Sequence, residues 1–89
     1  MSADKNEFYA MVSSLIAEVS EGQQSAAVDQ LSGKHLRKDF NFDSLDVIKF
    51  IFLLEEKSGV KMPDKDIDAL NLLQVDCLVR YIAERKGKA

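Results

Sequence analysis

The sequence predicts an all-α protein, a four-helix bundle of three longer helices and one short helix, with a long loop between helices one and two. Apolar residues recur at helical spacing in three stretches, near residues 8–19, 47–54 and 72–82. No stretch shows the alternation of apolar and polar residues that is typical of a strand. A chain of 89 residues has the size of one small domain, so we expect residues 1–89 to fold as a single unit.

The composition is that of a globular chain and argues against several other classes of protein. Hydrophobic residues make up 46% of it and charged residues 30%, and the longest apolar run, 50–54, is too short to span a bilayer. The net charge of −3 disfavours general binding to nucleic acid. Cys77 is the single cysteine, so it cannot form an internal disulfide, and the first residues lack a signal-peptide pattern. We therefore expect a cytoplasmic monomer that neither binds nucleic acid nor inserts into a membrane.

The first helix is expected to run from about residue 4 to residue 20. Asp4 and Glu7 are acids where a helix start favours them, and Gly22 suits a helix end. The apolar stripe that should face the core recurs at i, i+3, i+4, i+7, i+8 and i+11: Phe8, Met11, Val12, Leu15, Ile16 and Val19.

A long loop is expected from residue 22 to about residue 41, because no helical or strand period holds there. It includes at most a short helical turn, and three apolar residues are expected to anchor it to the core: Val28, Leu31 and Leu36. It also carries a basic cluster, which is either solvated or a contact for an acidic partner: Lys34, His35, Arg37 and Lys38.

The second helix is expected from Ser44 to Lys57, with Gly59 as its stop. Asp43 and Ser44 stand just ahead of its apolar run, where such side chains cap the free N–H groups of a first turn. One apolar face should enter the core: Val47, Phe50, Ile51 and Leu54. An adjacent face is apolar too, and it is either exposed for a partner or covered by the first loop: Leu45, Ile48 and Phe52.

The remaining helices are shorter or less well delimited in the sequence. The third is expected at about residues 64–69, with two side chains that point inward, Ile67 and Leu70. The last is expected to start at Asn71 or Gln74, and residues 71–74 have the pattern of a loose capping box. Its apolar positions follow at helical spacing: Leu72, Val75, Leu78, Val79 and Ile82.

The segment Phe40-Asn41-Phe42-Asp43-Ser44-Leu45-Asp46, with the helix behind it and the Gly59–Pro63 turn, resembles the acyl carrier protein family. The match runs without a gap from Leu36 to Asp64, resumes near Gln74 after a short insertion, and ends on Tyr81-Ile82. In that family the serine of an Asp-Ser-Leu motif carries a covalent 4′-phosphopantetheine arm taken from coenzyme A.

The resemblance implies that Ser44 is the attachment site, within the motif that Asp43 and Leu45 complete. It implies a carrier that holds acyl groups as thioesters for enzymes of fatty-acid, lipid or polyketide synthesis. The implied partners are a phosphopantetheinyl transferase and acyl-loading and acyl-processing enzymes. The positions that would dock them follow the serine: Leu45, Asp46, Ile48, Lys49, Phe52 and Glu55. The candidates to line an acyl pocket are Val47, Phe50, Ile51, Leu54, Ile67 and Val79.

Two alternatives remain open at this point. The same arm serves carriers of aminoacyl or peptidyl groups, and an unmodified helical domain could use the second apolar face to bind a partner. We expect neither an enzyme nor a metal site, because no paired carboxylates, His-containing dyad or metal-ligand spacing stands out. Lys49 stands where the family usually has an acid, and Ser58 where it usually has an aromatic, which favours a specialised carrier.

Overall fold

A computed structural model of the chain describes residues 5–87, and within them it has four α-helices and no strand. The helices are α1 (Lys5–Val19), α2 (Ser44–Ser58), α3 (Asp64–Ala69) and α4 (Val75–Gly87). The predicted all-α bundle with three longer helices, one short helix and a long first loop is confirmed. The predicted role of Asp4 at the start of the first helix lies outside the described residues.

The core forms where α1 packs against α2 and α4. The predicted stripe of α1 is buried, except that Met11 lies half-buried at its edge. Gly59 ends α2 in the left-handed conformation at φ +75°, which a glycine adopts without steric cost. The largest side chains that are almost fully removed from water come from all three longer helices and the loops: Leu15, Ile16, Leu31, Leu36, Phe50, Leu54, Leu72, Leu78 and Ile82.

The long first loop is anchored to the core by two of the three residues predicted, Leu31 and Leu36, and by further apolar side chains. Leu31 and Leu36 are buried as expected, but Val28 is 37% exposed, and the prediction that it anchors the loop is wrong. Val28 opens a 3₁₀ turn at Val28–Gln30 and lies on its outer side, while Leu31 at the end of the turn takes the place in the core. Further down the loop Phe40 and Phe42 are buried as well, and the Phe42 ring meets Phe50 edge to face with 5.9 Å between centroids.

The loop is also tied to the turn between α3 and α4 by backbone hydrogen bonds. The Leu36 N–H donates to the Leu73 carbonyl at 2.8 Å, and the Val75 N–H donates to the Lys34 carbonyl at 2.9 Å. These two bonds form an isolated antiparallel bridge centred on His35 and Gln74. The start of α4 therefore holds the middle of the loop in place.

Asp76 adds a side-chain link between α1, the loop and α4. Its carboxylate accepts hydrogen bonds from the Tyr9 hydroxyl, the Ser32 hydroxyl, the Gly33 N–H and the Gln74 amide. Burial alone would raise the pKa of Asp76, but these donors, led by Tyr9, outweigh it and the pKa is lowered. Burial, followed by the bond to Asp76, raises the pKa of Tyr9 to about 12.

The structure differs from the prediction at three points in the C-terminal half. Leu70 does not point inward but is 49% exposed, because α3 ends at Ala69 after six residues and Ile67, half-buried, takes the inward position. Of the two predicted starts of the last helix, Gln74 is confirmed to within one residue, because α4 begins at Val75. Asn71 is wrong, because it adopts a left-handed φ of +54° that interrupts a helix. The residue that caps α4 is Gln74, whose Oε1 accepts the Cys77 N–H at 3.0 Å, so the capping box predicted at residues 71–74 is not formed.

Candidate functional site

The first turn of α2 is capped by two aspartates that face each other. The Asp43 Oδ1 accepts the Asp46 N–H at 2.8 Å, and the Asp46 Oδ2 accepts the Asp43 N–H at 3.1 Å. This reciprocal pair is a capping box, with Asp in the position that Glu or Gln usually occupies. Of the two residues that the sequence predicted as caps, Asp43 is the N-cap, whereas Ser44 is the first residue of the helix and does not cap it.

Because the aspartates do the capping, the hydroxyl of Ser44 is not used in the fold. Ser44 is exposed, and its side chain makes no hydrogen bond to any residue between 5 and 87. The backbone N–H groups of Ser44 and Leu45 begin the helix and have no intrahelical acceptor. The first turn thus presents a free hydroxyl beside the positive end of a 15-residue helix.

The second apolar face of α2 is open to solvent. Leu45, Ile48 and Phe52 are 66%, 63% and 58% exposed, so the alternative that the first loop covers them is wrong. Lys49 is exposed on the same side of the helix, at i+4 from Leu45. We call these four residues the docking stripe. Contiguous exposed apolar surface on a small domain is typical of an interaction site.

The two remaining positions of the predicted docking set are half-buried and already hydrogen-bonded. Asp46 belongs to the capping box, and the Glu55 Oε2 accepts the Met62 N–H at 2.6 Å. The Glu55 bond fixes the chain where it leaves Gly59 and turns toward α3. The hydrogen bonds of both carboxylates therefore fix the backbone around the site.

An open groove of about 690 Å³ lies between α2 and α3, and Ser44 is at its rim. Three of the six candidate pocket residues line it, namely Val47, Ile51 and Ile67. The other three lie in the closed core, with exposures of 0%, 0% and 1%: Phe50, Leu54 and Val79. The rest of the lining comes from both helices and three loops: Arg37, Ile48, Phe52, Glu55, Met62, Pro63, Asp64, Asp68 and Leu73.

The wall that α3 contributes to this groove is held by Tyr81 of α4. The Tyr81 hydroxyl donates to Asp66 Oδ2 at 2.9 Å and also lies 3.3 Å from the Lys61 carbonyl oxygen. Burial, followed by the bond to Asp66, raises the pKa of Tyr81, and the Arg85 guanidinium stacks 3.6 Å from its ring centroid. A short helix that buries no residue fully is thus kept beside α2 by a side chain of the core.

Sequence reasoning missed Arg37, Met62 and Leu73 as groove residues. None of them lies on a helix, so periodicity gave no signal for their direction. A partial signal for Met62 was available in Gly59, since the residues that follow a glycine helix end frequently contact the last turns of that helix. The positions of Arg37 and Leu73 depend on the bridge between the first loop and the start of α4.

Other kinds of site receive no support from the described part of the chain. Residues 5–87 contain no cluster of three His, Cys, Asp or Glu side chains that could hold a metal ion. His35 uses its Nδ1 to accept the Arg37 N–H at 3.1 Å, and Cys77 is a half-buried free thiol. None of the helices within these residues combines the length and the apolar character needed to cross a bilayer.

Comparison with known proteins gives a family for this arrangement, although no family model matches the chain. An acyl carrier protein of Helicobacter pylori (strain ATCC 700392 / 26695) is 34% identical over 77 residues, which cover 86% of this chain and 96% of that protein. An acyl carrier protein of Campylobacter hominis is 33% identical, with 73% of this chain and 90% of that protein covered. One from Borreliella burgdorferi is 29% identical over 94% of this chain and 99% of that protein. The chain belongs to the acyl carrier protein family.

Proposed function

We propose that Ser44 receives 4′-phosphopantetheine from coenzyme A and that this chain performs the acyl carrier role of its family through that arm, without catalysing a reaction itself. The observation that carries the proposal is the free, exposed hydroxyl of Ser44, which lies on the lining of the groove between α2 and α3. Family membership supports the role, and the geometry supports Ser44 as the residue that performs it.

The residues around Ser44 are compatible with an attached 4′-phosphopantetheine. The Ser44 hydroxyl is exposed, so a second enzyme can reach it, and the capping box leaves it without a structural task. The helix start favours a negative phosphodiester by about 0.3–1 kcal/mol at an exposed position. Asp43 and Asp46 oppose this charge, but both carboxylates accept N–H bonds of the capping box. When attached, the group supplies a terminal thiol that holds an acyl group as a thioester.

The attachment reaction needs groups that a transferase must bring. The Ser44 oxygen forms a bond to phosphorus, the phosphoanhydride bond of coenzyme A breaks, and adenosine 3′,5′-bisphosphate leaves. The hydroxyl proton must pass to a base, and no side chain between residues 5 and 87 is hydrogen-bonded to Ser44 to serve as one. The base and the Mg²⁺ therefore belong to the transferase. This chain contributes the position of the hydroxyl.

Two overlapping surfaces next to Ser44 support the two tasks of a carrier, since Ile48 and Phe52 of the docking stripe also line the groove. The docking stripe suits the transferase and the enzymes that load and process the acyl group, because three of its four residues are apolar and exposed and it follows the serine directly. The groove suits the apolar part of a carried group, with Val47, Ile51 and Ile67 on its lining. Tethering near a docked enzyme raises the effective concentration of the cargo to roughly millimolar.

We further propose that the chain works as a monomer in the cytoplasm. Cys77 is its single cysteine and is a free thiol, which suits a reducing compartment. The docking stripe is then available to partner enzymes in turn.

Intact-mass measurement tests the proposal. The protein is incubated with coenzyme A, Mg²⁺ and a broad-specificity phosphopantetheinyl transferase. We expect the wild type to gain one phosphopantetheine, Ser44→Ala to gain none, and Ser14→Ala, which changes another exposed serine, to gain one. A wild type that stays unmodified, or a Ser44→Ala variant that is modified, would refute it. Loading assays with acyl and aminoacyl ligases then separate an acyl cargo from an aminoacyl cargo.

A further inference from the structure

We propose that Arg37 binds the phosphodiester that joins the arm to Ser44, and so sets the direction in which the arm leaves the protein. The inference rests on the proposed function of Ser44 and assigns a positioning residue to that site.

Arg37 and Ser44 line the same groove although they are seven residues apart in the chain. The loop between them closes on itself, because the Phe42 N–H donates to the Leu36 carbonyl at 3.3 Å. Leu36 is held from the other side as well, since its own N–H donates to the Leu73 carbonyl at 2.8 Å. These two bonds hold Leu36, the residue before Arg37, between the α3–α4 turn and the segment that leads into α2.

The side chain of Arg37 is available for a ligand. Its backbone N–H is used by His35 Nδ1 at 3.1 Å, but its guanidinium has no hydrogen-bond or ring partner among residues 5–87. The residue is exposed, so binding an anion there displaces no packed side chain. Lys38, the next residue, is also an exposed cation but does not line the groove.

The charged residues that line the groove favour a role for Arg37 in binding a phosphate. Among its lining residues within the described chain, Arg37 is the one cation, and the acids are Glu55, Asp64 and Asp68. A phosphodiester on Ser44 adds a permanent negative charge close to Asp43 and Asp46. A guanidinium binds two phosphate oxygens through parallel N–H bonds, which a lysine ammonium cannot do with the same geometry. Arg37 is thus suited both to offset the repulsion and to orient the phosphate over the groove.

Phosphorus NMR of the modified protein tests this directly. The wild type, Arg37→Gln, Arg37→Lys and the matched control Lys38→Gln are each modified with coenzyme A and a transferase, and complete modification is verified by mass. We expect the phosphodiester resonance of the wild type and of Lys38→Gln to be the same and to shift as NaCl is raised, because salt screens the pair. In Arg37→Gln the resonance should move and lose that salt dependence, and Arg37→Lys should fall between the two.

A second readout comes from the arginine itself. In the wild type we expect the Nε–H proton of Arg37 to exchange with water several-fold more slowly after modification than before. Full modification with a phosphorus resonance that is the same in Arg37→Gln and the wild type would overturn the inference and leave Ser44 as the attachment site. An Arg37→Gln variant that is only modified more slowly would also overturn it, because Arg37 would then contact the transferase. Failure of the wild type to be modified would instead refute the proposed function.

Discussion

Replacing Asp76 by alanine should loosen the first loop from both α1 and α4. The carboxylate accepts four hydrogen bonds, and the bond from the Gly33 N–H is 2.8 Å long. A hydrogen bond to a charged group contributes about 1.5–3 kcal/mol. Asp76 is half-buried and its donors can reach water once it is removed, so we expect a loss of about 2 kcal/mol at pH 7, near the lower end of that range.

Urea denaturation followed by circular dichroism measures this loss, with Glu84→Ala as the control. Glu84 is exposed on the same helix, so its replacement should change the free energy of unfolding by no more than about 0.5 kcal/mol. The pKa of Asp76 is lowered in the folded protein, so its contribution is complete above the unfolded value of about 3.9 and is lost as pH falls through the folded pKa. The difference between the wild type and Asp76→Ala should therefore shrink below about pH 4. Equal stability of the two proteins at pH 7, or a difference that does not change with acid, would contradict this account.

Three further predictions concern the start of α2, the docking stripe and the loss of stability at alkaline pH. Asp43→Ala should lower the free energy of unfolding by about 1 kcal/mol, because it removes the N-cap of α2, and an unchanged urea midpoint would show that the capping box is not stabilising. Phe52→Asp should leave the free energy of unfolding within about 0.5 kcal/mol of the wild type, since Phe52 is 58% exposed, while the rate of modification by a transferase falls about tenfold if the stripe contributes about 1.4 kcal/mol to docking. The raised pKa of Tyr9 means that its stabilising contribution is complete below about pH 10 and is lost as pH rises through about 12. Tyr9→Phe should therefore lose less stability than the wild type between pH 10 and 12, as followed by circular dichroism.

The features that the sequence predicted correctly are those that depend on neighbours along the chain. The apolar repeats predicted helices α1 and α2. Gly59 predicted that α2 ends at Lys57, one residue before its observed end at Ser58. The motif around Ser44 placed the serine at the start of α2 because a cap precedes a helix by a fixed distance. These signals are local, so a single sequence contains them.

The features that the sequence did not predict depend on contacts between distant segments. Val28 and Leu70 are apolar but exposed, because a neighbouring residue in each case fills the core instead. Phe50 and Leu54 share a helix face with Val47, yet the first two are closed in the core and the third lines the α2–α3 groove. Arg37 reaches the groove through a bridge to the start of α4. No local pattern in the sequence records these pairings.

Because Asp43 and not Ser44 caps α2, the stability of the helix start does not depend on the hydroxyl that we propose is modified. Had Ser44 been the N-cap, its oxygen would accept an N–H of the first turn, and modification would remove a cap that contributes about 1 kcal/mol. Asp43 and Asp46 make the two bonds of the capping box between themselves, so a bulky group can be attached to Ser44 while the first turn keeps its hydrogen bonds. It follows that the unmodified and modified forms should share one helix start, and that partner enzymes should meet the same docking stripe before and after the arm is added.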